Sequence, residues 1–413
     1  MGTRGANDFE ELQGGKGLMT LQERNWKDFF KQVGLIVGIV SIVFTVTVAG
    51  FVVANLQDMG RLVRVVQLVK SDYLEKSSGN QLIEGATRGI VDSLGDPYSV
   101  YMDAEENAQL MEQIEGKFGG VGIIISLKDP DKLVVLRPIK NTPAAKAGLE
   151  PGDVITKIDD QDATTIPQDK AVALMRGDPG TKVNLTIYRD STKQTLSVPL
   201  TREAIAVPTV DGEALPGNSD IAYIDISQFS TNTANELASV LKTMDISKYK
   251  GIVLDLRYNH GGELDAAVGV ASRFVQSGPV VYIVDNEGRT LTKSAEDNFL
   301  GKPFVVLVNE ESASASEIVA GAIKDRGTGT LVGVKTFGKG IVQTIFPLDT
   351  GTSLKLTTAK YLTPNKIDIH KKGIEPDVKV ELKKGEEATI APTDRKYDSQ
   401  LTQAVQILRE KIK

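Results

Sequence analysis

From Val33 to Ala54 the chain runs for 22 residues without a charged side chain, between Lys27 and Lys31 on one flank and Asp58 and Arg61 on the other. In water such a segment must be buried all round, because apolar residues cover every face of the helix it would form. It is also long enough to cross the ~30 Å hydrocarbon core of a bilayer. A cleavable signal peptide is the nearer alternative. Val52-x-Ala54 offers a small-residue cleavage site, although the run exceeds the roughly 7 to 15 apolar residues usual for such signals. The favoured reading is an uncleaved single-pass anchor over residues 33–54. Lys16, Arg24, Lys27 and Lys31 precede it and Arg61, Arg64 and Lys70 follow it, a balance that favours a short cytoplasmic tail, 1–32, and an extracytoplasmic body.

That body has the composition of globular protein, with 41% hydrophobic and 25% charged residues over the whole chain. A net charge of −6, with no cluster of lysine and arginine, argues against a nucleic-acid binder, so the expected partners are proteins and the bilayer. There is no cysteine and there are only two histidines, His260 and His370. Thiol catalysis is thereby excluded and a His-Glu-x-x-His zinc site cannot be built. No metal or organic cofactor is expected.

Hydrolytic chemistry is still available to a serine. The apolar run Phe304 to Val308 reads as a buried strand, while Ile318, Val319, Ala322 and Ile323 repeat at helical spacing. Ser314, in Glu311-Ser312-Ala313-Ser314-Ala315-Ser316-Glu317, therefore falls where strand turns into helix. Unpaired N–H groups at a helix start favour a developing oxyanion there. Ser314-x-x-Glu317 is equally a capping box, which would need no catalytic role. Candidate bases are few. Lys339, between Gly338 and Gly340, reads as a hairpin residue between strands near 331–334 and 341–346. It would point at water unless burial or a neighbouring cation lowers its pKa enough to make it neutral. His260 with Asp255 is the rival, since histidine is a base near neutral pH without a large shift. Asp325, about three helical turns beyond Ser314, reads as a solvated charge.

The motif Ser-Ala-Ser-Ala-Ser-Glu, followed by Phe337-Gly338-Lys339-Gly340 and Gln343, resembles the carboxyl-terminal processing peptidases (tail-specific proteases), serine endopeptidases with a Ser/Lys pair. Gly95-Asp96-Pro97-Tyr98-Ser99, Asp255-Leu256-Arg257 with Asn259, Gly261 and Gly262, and Gly373-Ile374-Glu375-Pro376-Asp377 extend the likeness over roughly residues 60 to 380. The resemblance implies Ser314 as nucleophile, Lys339 as general base and Gln343 as the amide that holds the lysine. It further implies an oxyanion hole from the N–H of Ala315 with one from Gly261 or Gly262. One departure is His260, where the family usually carries proline before the paired glycines.

Residues Phe118 to Arg202 read as strands, a short helix and more strands, an order that resembles a PDZ domain. Gly120, Val121, Gly122 and Ile123 would then hold a chain-terminal carboxylate, with Arg176 ending the helix beside the groove. Residues around Gly116 and Val207-Pro208 read as hinges, so the module is expected to gate the site rather than merely tether substrate. The alternating strands and helices that follow imply, by the resemblance, a crotonase-like α/β core. Met59, Leu62, Val66, Val69 and Tyr73, then Gln81 to Leu94, read as two helices. Leu401, Ala404, Val405, Leu408 and Ile412 form a terminal apolar stripe, packed on its own subunit or in a homodimer.

The expected architecture is a multidomain α/β chain: tail 1–32, anchor 33–54, helical region 55–115, PDZ domain 116–203, peptidase core 204–385 and C-terminal helix 386–413. The expected activity is membrane-anchored serine endopeptidase action on proteins with unstructured, apolar C-termini. Delivery by an adaptor and a higher oligomer are left open, and a non-catalytic PDZ scaffold or chaperone is the alternative.

Overall fold

The computed structural model describes residues 19–54, 56–126, 132–383, 386 and 398–412. They form two compact units that divide between Gly89 and Ile90. In the first, the helix Met19–Ala54 contains, from Phe29 to Gly50, a stretch long and apolar enough to cross a membrane. Its large side chains, Ile42 and Phe44 among them, are exposed. Helices Leu56–Asp72 and Gly79–Asp92 follow, the last three residues of the latter falling to the second unit; both lie close to the positions read from periodicity, although the first ends before Tyr73.

The second unit is built on a six-stranded sheet in the order Val210–Leu215, Asn218–Ile226, Gly251–Asp255, Phe304–Val308, Thr330–Gly333 and Val378–Lys379. Only its first pair is antiparallel. Successive side chains of a strand point to opposite faces, so the central strands Gly251–Asp255 and Phe304–Val308, covered on both sides, are apolar but for Asp255 at the end of the first. Ile252, Leu254, Val306 and Val308 pack with the helices Thr233–Thr243, Leu264–Ala271 and Ala315–Arg326. Val253, Val305 and Leu307 pack with Leu401, Ala404 and Leu408 of the helix Ser399–Ile412. The terminal stripe is thus buried within its own chain, and Arg409 fastens the helix end to Asp220 at 2.6 Å.

A second sheet joins Val100–Met102, Ser353–Leu362, Pro279–Asp285 and Thr290–Ser294, with Ile341–Pro347 also paired to Ser353–Leu362. Residues 100–115, expected in the N-terminal helical region, belong to this body instead. Val100–Met102 pairs with residues 353–355, and Asn107 on the helix Ala104–Glu115 bonds Gly351 and Ser353. Three residues are too few to show a strand period.

The PDZ segment folds around its own core of Val121, Leu133, Val135, Ile155, Leu185 and Ile187. Ile123–Ser126 is an edge strand, and the helix Gln168–Met175 packs on the same core. The chain enters and leaves through one antiparallel ribbon, Lys117–Gly120 with Glu203–Ala206, closed by Val207 N–H to Gly116 O at 2.9 Å. The expected hinges are therefore tied together as a two-stranded stem.

Candidate active site

Ser314 sits at the strand-to-helix turn that periodicity indicated. The strand Phe304–Val308 is wholly buried, and the helix Ala315–Arg326 begins at the next residue. Between them Ser312 Oγ donates to Leu256 O at 2.8 Å, Ala313 N–H to Asn259 O at 3.0 Å and Ser316 Oγ to the same carbonyl at 2.9 Å. These bonds force Ser314 to φ 54°, ψ −112°, a conformation strained for any residue but glycine and one that proteins retain mainly at functional sites. Gly261 lies against this turn at φ +97°. A methyl group there would stand 2.6 Å from Ala313 O and 2.8 Å from Ala315 N, so only glycine lets the two backbones meet.

Glu317 belongs to the capping box, and it also does something that a helix cap alone would not require. Its carboxylate is fully buried and takes four donors: Ser314 N–H at 3.0 Å, Lys339 N–H at 2.8 Å, Gly338 N–H at 2.7 Å and Thr336 Oγ1 at 2.6 Å. Burial pushes its pKa above the ordinary glutamate value, and the four hydrogen bonds hold it back. On the opposite polarity, the buried Tyr361 hydroxyl lies 3.0 Å from Ser314 O and 2.5 Å from Lys339 O, one O–H shared between two carbonyls. The backbones of residues 314 and 339 are thus bridged twice, through their N–H groups by Glu317 and through their carbonyls by Tyr361.

Lys339 is not on a hairpin. The strand Thr330–Gly333 belongs to the main sheet and Ile341–Pro347 to the second, so residues 334–340 cross between sheets. Apolar runs alone do not reveal which sheet a strand joins. The flanking glycines reflect packing: a methyl on Gly338, at φ +92°, would lie 2.8 Å from Gly373 N, and one on Gly340 2.7 Å from His370 N. Burial and the nearby Lys355 ammonium hold the Lys339 amine below the ordinary lysine value, against Asp96 and Glu317. Its Nζ lies 4.9 Å above the Tyr98 ring. Gln343 stands on the neighbouring strand, and among the described residues its buried Nε2 has no hydrogen-bond partner.

The remaining sequence candidates fall on either side of this centre. Gly261 N–H is already committed to Asn259 Oδ1 at 2.9 Å, whereas Gly262 is exposed beside it. His260 points outward and pairs with Glu311 at 2.8 Å. Asp255 is buried with Arg257 at 2.6 Å and Tyr223 OH at 2.5 Å, so the alternative Ser314-His260-Asp255 relay is not assembled. Arg257 also reaches Asp398 at 2.7 Å, clamping the glycine loop to the C-terminal helix. Asp325 accepts the Asn365 N–H at 2.8 Å, away from the centre.

In the PDZ module Gly120 ends the stem and pairs with Glu203. The Val121 side chain is buried, with its carbonyl taking Ala144 N–H, and the Gly122 carbonyl takes Ile139 N–H, both at 2.9 Å. Ile123 opens the edge strand. Arg176 caps the groove helix, but its guanidinium stacks 4.7 Å over Phe118 and lies 3.9 Å from Glu112, on the peptidase-body helix.

A serine at a strand-to-helix turn, joined through its backbone to a partly buried lysine loop and accompanied by an inserted peptide-binding module, sets the class: an α/β peptidase core with a PDZ domain. Comparison with known proteins agrees. Peptidase family S41 matches residues 220–380, a PDZ domain residues 118–200, and the N-terminal domain of the activating protease CtpB residues 47–106. Carboxy-terminal processing protease CtpA of Bacillus subtilis (strain 168) is 38% identical over 341 residues, 82% of this chain and 72% of its own length. The carboxy-terminal-processing protease of Bartonella bacilliformis is 36% identical over 392 residues, 86% of this chain and 89% of its own. A solved Bacteroides fragilis structure described as an S41 protease covers 82% of this chain and 91% of its own, with a TM-score of 0.50 at 17% identity, a likeness of fold. The chain belongs to the carboxy-terminal processing proteases of family S41 and is a serine-type endopeptidase.

Proposed function

We propose that this chain is a membrane-anchored endopeptidase that captures unstructured, apolar C-terminal tails through its PDZ groove and cuts them with Ser314 as nucleophile and Lys339 as general base. The observation that carries the reading is the double bridge between residues 314 and 339, which serves no purpose for a capping serine or a solvated lysine. Lys339 Nζ takes the Ser314 Oγ proton as the oxygen attacks the peptide carbonyl. The oxyanion is received by the N–H groups of Ala315 and Gly262, Gly261 N–H being occupied. The resulting ammonium returns its proton to the leaving amine, and water, deprotonated by the same lysine, releases the acyl group. Gln343 holds the amine during these transfers.

The N–H groups of Gly120, Val121, Gly122 and Ile123 are the donors for the tail carboxylate, and the edge strand Ile123–Ser126 accepts the tail as an added strand. The apolar helix is read as an uncleaved anchor that leaves the catalytic body extracytoplasmic. The test is to present an unfolded protein ending in apolar residues, and the same protein ending in charged ones, to the full chain and to its Ser314→Ala form. Mass spectrometry should show faster cleavage of the apolar-ended substrate and none by the variant. Equal cleavage of both tails would remove the tail-recognition claim, and undiminished cleavage by Ser314→Ala would remove the nucleophile.

A further inference from the structure

The turn Gly95–Ser99 supplies none of the reacting groups, yet it is built against the base. Asp96 fastens it, accepting Tyr98 N–H at 3.1 Å and Ser99 Oγ at 2.6 Å, and Ser99 Oγ in turn accepts Thr357 N–H at 3.0 Å from the strand next to that of Gln343. This fixes the half-buried Tyr98 ring beneath the Lys339 amine, 4.9 Å from its centroid. Among the described residues no hydrogen bond or ion pair satisfies that amine, and the Gln343 amide nitrogen is buried without one. Two stations for one lysine are therefore present: an aromatic face that attracts only a cation, and an unpaired amide N–H that can donate only to the neutral amine.

We infer that Tyr98 is a positioning residue whose ring face holds the Lys339 amine as a cation away from Gln343, so that loss of the proton and movement to the amide arm the site together. Charged groups act on the amine from three elements. Lys355, from the neighbouring strand, disfavours the charge, as does burial, while Asp96 from the turn and Glu317 from the nucleophile helix favour it. The ring adds to the second group. A cation over an aromatic face at a partly shielded site corresponds to a shift of about half to one pH unit in the amine's midpoint.

The catalytic consequence rests on Lys339 being the base, but the midpoint can be read without catalysis. In the full chain carrying Ser314→Ala, trace labelling by fluorodinitrobenzene from neutral to alkaline pH, followed by mass spectrometry of the Lys339 peptide, gives the midpoint directly. Tyr98→Leu should lower it by about half to one unit, and Tyr98→Phe, which keeps the ring, should leave it in place. Tyr98→Trp, with the stronger face, should raise it, so the proposal stays testable if the leucine variant fails to fold. Leucine and phenylalanine forms with the same midpoint, or a tryptophan form with an unmoved one, would overturn it. In the active chain the alkaline-rising limb of kcat/KM should follow the labelled midpoint. A limb that stays put while the labelled midpoint moves would count against Lys339 as base and leave the role of the ring intact.

Discussion

The two halves of the proposed catalytic pair, Ser314 and Lys339, are held by different means. On the nucleophile side the side chain is one bond from a backbone locked by Asn259, Gly261, Glu317 and Tyr361, so placing the backbone places the hydroxyl. On the base side the backbone is held as firmly, by the same Glu317 and Tyr361 and by the press of residues 370–373 on Gly338 and Gly340. The amine, however, lies at the end of four methylenes, on Tyr98 and with Gln343 unpaired. On the proposed roles, rigid placement of Ser314 and latitude in Lys339 make the lysine the element through which a resting site would be armed.

The largest effect is expected where both halves share a support. Glu317→Gln replaces one oxygen of a buried carboxylate by a second donor, facing two of the donors it now accepts. We expect a loss of about 3 kcal/mol in urea unfolding and a fall in kcat beyond about a hundredfold. An unchanged midpoint and rate would show that the two backbones do not depend on the bridge. Gln343→Ala should separate the halves. Because the amide nitrogen has no partner in the resting arrangement, stability should change by less than about 1 kcal/mol, while kcat falls about ten- to a hundredfold. A large stability loss with normal turnover would make Gln343 a structural residue. The smallest effect belongs to His260→Pro. The imidazole is exposed and paired only with Glu311, so activity should stay within about tenfold, roughly 1.4 kcal/mol in barrier. A thousandfold loss in folded protein would return histidine to the chemistry.

How far these features can be read from the chain follows from their span. Ser314 was legible because hydrophobic period changes across it, from a continuous run in Phe304–Val308 to helical spacing after Ala315. Lys339 and Gln343 stood out through their motif and the family likeness. Glu317 was legible only as a cap: its bonds to Thr336, Gly338 and Lys339 cross 19 to 22 residues and leave no local pattern. Tyr361, 47 residues from Ser314, is in sequence one more strand aromatic. Tyr98 is in sequence one letter of a motif, 241 residues from Lys339. The crossover carrying Lys339 reads in sequence as a hairpin because two short apolar runs look alike whether they pair with each other or enter different sheets. The C-terminal stripe was legible as a helix face, and only the apolar second face of the main sheet identifies what it covers.

The most direct test of the Ser314–Lys339 pair is the pH dependence of serine phosphonylation. A fluorophosphonate needs no tail recognition and reports only whether a hydroxyl is activated. The parental chain should be modified at Ser314 and not at Ser312 or Ser316, with a rate that rises with pH as the amine loses its proton. The midpoint should lie below the ordinary lysine value of about 10, since burial and Lys355 disfavour the charged form. Lys339→Arg, whose guanidinium keeps its proton, should react at least about a thousandfold more slowly and without that midpoint. Modification of Ser314 in the arginine variant at the parental rate, or on another serine in the parental chain, would contradict the account.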